Sequence, residues 1–61
     1  MKLLDCPTPF GGVVTINPLM IATMYENLDG DTVIDFSGVE DTLTVSMSVA
    51  LLKIRIKEMF T

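Results

Sequence analysis

The sequence predicts an α+β fold in which a small antiparallel β-sheet of about four to five strands is followed by one C-terminal helix. Residues 1–61 are expected to form a single domain. Three observations predict this fold class. Apolar residues alternate from Thr42 onwards, they recur with the period of a helix after Ser48, and an Asp29-Gly30 turn separates two runs of strand-forming residues.

The first third of the chain predicts two strands joined by a loop. Residues 2–6 form the first strand, and the largely β-branched residues 13–16 form the second. Residues 7–12 contain two prolines and two glycines, which favour a loop. Asn17-Pro18 ends the second strand because proline cannot donate a ladder hydrogen bond, and a single helical turn begins at Leu19.

The middle of the chain predicts a hairpin. Residues 21–26 and 32–36 are its two strands, and residues 27–31 are its turn. Asp29-Gly30 within that turn favours a positive φ at Gly30. A second polar turn, residues 37–41, leads into the last strand.

The last twenty residues change character after Ser48. Before it, one side of a strand carries alternating apolar residues, namely Leu43, Val45, Met47 and Val49. After it, one arc of a helix carries Val49, Leu52, Ile56, Met59 and Phe60, and Lys53, Arg55, Lys57 and Glu58 lie outside that arc. Ser48 or Ser46 is the expected N-cap. The alternative is a strand, since Leu52, Ile54 and Ile56 also alternate with basic residues, but it would need a turn that the sequence lacks.

The length and the composition favour self-association. For 61 residues, burial of apolar surface contributes about 90 kcal/mol and ordering the chain costs about 90 kcal/mol, so a monomer is marginal. One cysteine and no histidine make a disulfide or a structural metal a poor remedy. The predicted strands also carry apolar residues on both faces, and one helix covers one face. We therefore expect a homo-oligomer.

The charge is distributed unevenly. The net charge is −4, and no Lys or Arg occurs between Leu3 and Leu52. This acidic body would repel phosphate backbones, so nucleic acid is not an expected partner. A membrane span is not expected either, because prolines and glycines interrupt the longest uncharged run. The candidate partner-binding residues are Asp29, Asp31, Glu40 and Asp41, which we predict to form one acidic rim on two neighbouring hairpin loops.

The sequence lacks the residue patterns of catalytic and metal sites. Without histidine, Cys6 has no imidazole base, so a structural thiol is the better interpretation. Asn27, Asp29 and Asp31 alternate like the start of a calcium loop, but Thr32 stands where that loop requires glycine. We expect no enzyme activity, no metal and no cofactor. The absence of a secretory signal favours the cytoplasm.

Several short motifs occur in a recognisable order. They are Ile16-Asn17-Pro18, then Ile21, then Asp31-Thr32-Val33-Ile34, then Val45 and Ser48. In this order the chain resembles the small flagellar FlbD-like family over about residues 13–56. The resemblance implies a β-sheet with a terminal helix, a flagellar accessory role and no catalytic residues.

Two classes of function agree with these features. The first is a non-enzymatic homo-oligomeric binding protein, of the phage-type accessory or inhibitor kind, which docks on a host protein through an acidic or apolar surface. The alternative is an oligomer that sequesters a small anionic, nucleotide-like ligand in pockets between subunits, where Lys53, Arg55 or Lys57 would meet the ligand.

Self-association can be measured directly. Light scattering of the purified protein at micromolar concentration should give a mass at least twice 6.7 kDa. The physical reason is that a monomer of this size leaves apolar surface in water. A monomer that stays folded on dilution would contradict the expectation.

Overall fold

Strands and one α-helix follow each other in the predicted order along residues 2–61, the part of the chain that the computed structural model describes. The strands are β1 (Leu4–Pro7), β2 (Val13–Ile16), β3 (Ile21–Glu26), β4 (Thr32–Phe36) and β5 (Thr42–Val45). A 3-10 turn (Pro18–Met20) separates β2 from β3, and the helix α1 covers Val49–Met59. The α+β class is confirmed. No helix in residues 2–61 is long and apolar enough to cross a membrane.

The strands form two antiparallel sheets, so the prediction of a single sheet is wrong. One sheet is the β1–β2 hairpin, and the other is a meander in the order β3-β4-β5. The 3-10 turn redirects the chain after β2, because Pro18 has no N–H to donate and Asn17 caps the turn by accepting from the Leu19 N–H. Near the end of β5, the Ser46 N–H donates to the Pro7 carbonyl at 2.7 Å. A backbone bond therefore links the two sheets without a continuous ladder.

The C-terminal segment is a helix, and the alternative of a further strand is wrong. The Ser48 side chain accepts a hydrogen bond from the Leu51 N–H at 3.1 Å, as expected of an N-cap. Leu52 is fully buried, whereas Phe60 lies just beyond the helix and is exposed. The strand before it ends at Val45, earlier than the alternation predicts, because the Met47 carbonyl bonds to the Thr32 hydroxyl instead of to a neighbouring strand.

The core lies between the inner face of the three-stranded sheet, the β1–β2 hairpin and α1. It consists of Cys6, Ile16, Ile34, Val45, Met47 and Leu52. Ile34 pairs with Met24 on one side and with Leu43 on the other, so these three residues share the inner face. On the outer face, Val33 lies between Tyr25 and Thr44. The opposite facing of Ile34 and Val33 agrees with the sequence pattern.

The β3–β4 turn has the backbone conformation that the Asp-Gly pair predicts. Gly30 has a φ of 82°. Its N–H donates to the Asn27 carbonyl at 3.1 Å, and the Asn27 N–H donates to the Asp31 carbonyl at 2.9 Å. Only a residue that tolerates positive φ fits the Gly30 position without strain.

Replacing Gly30 tests this turn. Gly30→Val should cost about 1–3 kcal/mol of stability, because a β-branched residue is strained at this φ. An added Cβ would meet no atom within 4 Å, so the loss would come from the backbone and not from a clash. Thermal unfolding followed by circular dichroism should show a lower midpoint for Gly30→Val and a smaller loss for Gly30→Asn, which tolerates the conformation better. Equal midpoints for wild type and Gly30→Val would contradict the assignment.

Candidate functional site

The four candidate partner-binding carboxylates lie at two opposite ends of the three-stranded sheet. Asp29 and Asp31 belong to the β3–β4 loop, and Glu40 and Asp41 belong to the β4–β5 loop. β4 separates the loops by five residues, which is about 16 Å at the rise of a strand. The prediction of one acidic rim is therefore wrong, because successive turns of a meander lie at opposite ends.

The first acidic loop, residues 27–31, is held rigidly by one side chain. Asn27 Oδ1 accepts from the N–H groups of Asp29 and Asp31, both at 3.0 Å. These bonds and the two backbone bonds of the same loop define its shape. Leu28 projects from this frame with a relative exposure of 107%. The loop presents an apolar side chain beside two carboxylates.

A second apolar residue projects from a loop that starts at the same end of the molecule. The β1–β2 loop begins after Pro7, whose carbonyl is bonded to the N–H of Ser46 just beyond β5. Within this loop, the Thr8 side chain donates to the Gly11 carbonyl at 2.6 Å. Phe10 at its tip is 90% exposed. Sequence reasoning missed Phe10 and Leu28, although a large apolar residue among turn residues is the signal that marks both.

The second acidic loop borders an apolar groove at the other end of the sheet. The groove has a volume of about 310 Å³, and its apolar lining residues are Val14, Ile16, Met20, Phe36, Val39 and Leu43. Glu40 and Asp41 lie in the chain between Val39 and Leu43, and both carboxylates are exposed. No charged side chain lines the groove itself. This end of the molecule combines an apolar floor with acidic residues beside it.

The three basic residues of the helix do not form one site. Lys53 and Lys57 are one turn apart on the helix, and Arg55 lies about 160° around the axis from each of them. Arg55 lines a second groove of about 270 Å³, together with Leu4, Asp5 and Leu51. A carboxylate therefore shares that groove with the guanidinium group.

Two further charged residues have structural roles. Glu26 Oε1 accepts from the Val49 N–H at 3.3 Å, so its carboxylate lies at the positive end of the helix dipole. Lys2 Nζ donates to the Met59 carbonyl at the other end of the helix and lies 5.4 Å from the centre of the Phe60 ring. These contacts tie both charged side chains to the helix and make them part of the fold.

Cys6 is a buried thiol in the core. It has 0% exposure, and burial raises the pKa of the Cys6 thiol. The Asp5 carboxylate raises this pKa further, while the Arg55 guanidinium acts in the opposite direction. A thiol with a raised pKa is mostly protonated near pH 7, and the protonated form is a poor nucleophile.

Three observations on residues 2–61 concern metal and small-ligand binding. Within residues 2–61, no group of three or more His, Cys, Asp or Glu side chains could hold a metal ion. Every buried side-chain nitrogen and oxygen in the same residues has a hydrogen-bond partner. Small-ligand pockets generally place a few convergent polar groups in an apolar cleft, and the polar residues that line the mainly apolar 310 Å³ groove are the uncharged Thr15, Asn17 and Ser37.

Comparisons of the chain with models of known protein families, with curated proteins and with solved structures give no match. The resemblance to the flagellar FlbD-like family stays a prediction. Function is therefore inferred from the surfaces of the molecule, namely the two acidic loops, the groove and the helix.

The accessibility of Cys6 can be tested by thiol labelling. In the folded protein, Ellman's reagent should label Cys6 at least about tenfold more slowly than in denaturant, because the thiol is buried and its pKa is raised. The wild-type chain in denaturant is the internal control for the intrinsic reactivity of the thiol. Equal labelling rates in the two conditions would show that Cys6 is accessible.

Proposed function

We propose that this protein is a non-enzymatic, homo-oligomeric binding protein, of the small accessory or inhibitor kind found in phages, that docks on a larger host protein. The docking surface is the end of the molecule that carries the rigid 27–31 loop. Leu28 enters an apolar pocket of the partner, and Asp29 and Asp31 face basic residues around that pocket. The observation that carries the proposal is the fully exposed Leu28 on a loop whose shape is already fixed by hydrogen bonds.

The rigidity of this loop supports a role in binding. A loop that is ordered before binding loses little conformational entropy on association, and this lowers the cost of the complex. Asn27 supplies that order through its bonds to Asp29 and Asp31. Burying the exposed Leu28 side chain in a partner would contribute about 1.5–3 kcal/mol. Phe10 projects from a loop that starts at the same end and extends the apolar contact.

The acidic residues define the chemistry of the partner. Asp29 directly follows Leu28, Asp31 follows Gly30, and the sequence has no Lys or Arg from Leu3 to Leu52 to neutralise them. A partner with Lys or Arg around an apolar pocket would be steered towards this end. The alternative of a nucleotide-like ligand has weaker support, because the helix separates Arg55 from Lys53 and Lys57, and Asp5 shares the Arg55 groove.

The exposed surface supports self-association. The molecule exposes 4193 Å² to solvent. A folded monomer of this mass is expected to expose about 3,900 Å². The two areas agree to within about a tenth, so the support for self-association comes from the large apolar side chains in the exposed surface, which a second subunit could cover.

Matched single substitutions test the docking surface. Leu28→Ser should weaken capture of the host partner at least about tenfold, because the apolar anchor is lost. Leu3→Ser is the matched control, since Leu3 is exposed and precedes β1 at the end away from the β1–β2 loop. The readout is the amount of host protein retained from lysate by the immobilised protein, followed by binding kinetics with the purified partner.

Charge reversal tests the electrostatic part of the proposal. Asp29→Lys should lower the association rate, and Glu58→Lys on the helix is the control with the same change in charge. The wild-type association rate should also fall with salt, as the screening length decreases from about 10 Å at 0.1 M to about 3 Å at 1 M.

Capture that is unchanged by Leu28→Ser and Asp29→Lys would overturn the proposed surface. A nucleotide-like ligand released from the purified protein on heating and detected by mass spectrometry, with no host protein captured, would favour the alternative.

A further inference from the structure

The outward face of α1 carries apolar side chains that the fold leaves uncovered. Leu51 is 41% exposed and Ile54 is 55% exposed, whereas Leu52 between them is fully buried. Glu58 lies between Leu51 and Ile54 around the helix axis, and Lys53 and Lys57 lie one turn apart on the flank nearer Ile54. Two lysines against one carboxylate leave this apolar face with a net positive charge, which fits an apolar groove with carboxylates beside it.

The groove at the Glu40–Asp41 end has the complementary properties. Of its lining residues, Met20 and Val39 are exposed, and Phe36 and Leu43 are half-buried. The acidic pair Glu40 and Asp41 lies in the loop that connects Val39 to Leu43. No Lys or Arg lies between Leu3 and Leu52, so the chain from β1 to β5 has no cation of its own for these carboxylates.

We infer that a second copy of this chain occupies the groove with its α1. Leu51 and Ile54 of one copy pack against the apolar groove of the other, and Lys53 and Lys57 face Glu40 and Asp41. This inference rests on the self-association included in the proposed function, and it names the two surfaces involved. The argument for a second copy is charge complementarity together with two matching apolar surfaces, all of them within one chain.

The distribution of charge disfavours the other head-to-tail contact that the surface offers. Leu28 of one copy could in principle enter the groove of the next. That contact would place Asp29 and Asp31 near Glu40 and Asp41, and close pairs of like charge oppose association. Docking through α1 instead brings Lys53 and Lys57, against the single carboxylate of Glu58, to the acidic pair and leaves the 27–31 loop free.

The proposed contact joins two different patches, and symmetry determines how it closes. A two-fold axis would place each α1 in the groove of the other copy and close a dimer with two equivalent contacts. A larger ring would repeat the same contact between successive copies. In both arrangements every contact pairs one α1 with one groove, and the dimer has two such contacts in its single interface.

Complementary charge reversals test the interface. The groove variant carries Glu40→Lys and Asp41→Lys, and the helix variant carries Lys53→Glu and Lys57→Glu. Each should dissociate towards the 6.7 kDa monomer, with a rise of at least about tenfold in the dissociation constant for self-association. The two variants mixed in equal amounts should recover the wild-type mass, because each contact then joins opposite charges again. The chain that carries all four substitutions should also associate.

Controls separate the interface from effects of net charge and folding. Asp29→Lys with Asp31→Lys changes the net charge as much as the groove variant does but lies at the opposite end of the sheet, so it should keep the wild-type mass. Ile54→Ser removes an exposed apolar contact without changing charge and should weaken association. Circular dichroism checks that each variant is folded, and light scattering gives the mass.

The outcomes distinguish this inference from the proposed function. Folded groove and helix variants that both keep the wild-type mass would overturn the interface, and so would a mixture of dissociated variants that stays monomeric. Dissociation caused by Asp29→Lys with Asp31→Lys alone would place the interface at the other end and overturn it as well. Docking is measured separately through the Leu28→Ser comparison with the host partner, so capture that Leu28→Ser leaves unchanged would overturn the docking surface without affecting the result for the interface.

Discussion

The short link between the last strand and the helix connects all parts of the fold. The Ser46 N–H donates to the Pro7 carbonyl of the β1–β2 hairpin at 2.7 Å. The carbonyl of the following residue, Met47, accepts a hydrogen bond from the Thr32 hydroxyl at 2.6 Å, and the residue after that, Ser48, caps the helix. Thr32 has 0% exposure, and a buried hydroxyl without its partner costs about 1–3 kcal/mol. Three consecutive residues therefore join the hairpin, the three-stranded sheet and the helix.

The secondary structure could be predicted from the sequence because local patterns determine it. Alternation gives the strands, the Asp29-Gly30 pair gives the hairpin turn, and Ser48 before a helical period gives the helix. The division into two sheets could not be predicted in this way. The β1–β2 hairpin and the three-stranded sheet meet through the long-range backbone bond between Ser46 and Pro7. The alternation of apolar residues along the sequence does not indicate whether such a bond is isolated or is part of a continuous β-ladder.

The candidate surfaces were harder to predict than the fold. The acidic residues were identified by charge alone, but their positions follow from the order of the strands, since a meander places Asp29 and Glu40 at opposite ends. An apolar loop residue such as Leu28 can fold back on the protein or project from it. Here the hydrogen bonds of the Asn27 side chain determine the outcome. The groove arises where β2, the 3-10 turn and the β4–β5 loop meet, which is a tertiary contact without a sequence signature.

The separation of the two acidic loops allows self-association and partner docking to occur together. In the proposed assembly, α1 of one copy covers the groove beside Glu40 and Asp41, and the 27–31 loop with Leu28 stays in solvent at the other end of the sheet. An oligomer then presents several identical docking loops. A partner that is itself oligomeric could engage more than one of them, and linked binding events raise the overall affinity without any new contact. For a chain of 61 residues, self-association would therefore supply both the burial that stabilises the fold and the multiple contacts that strengthen binding.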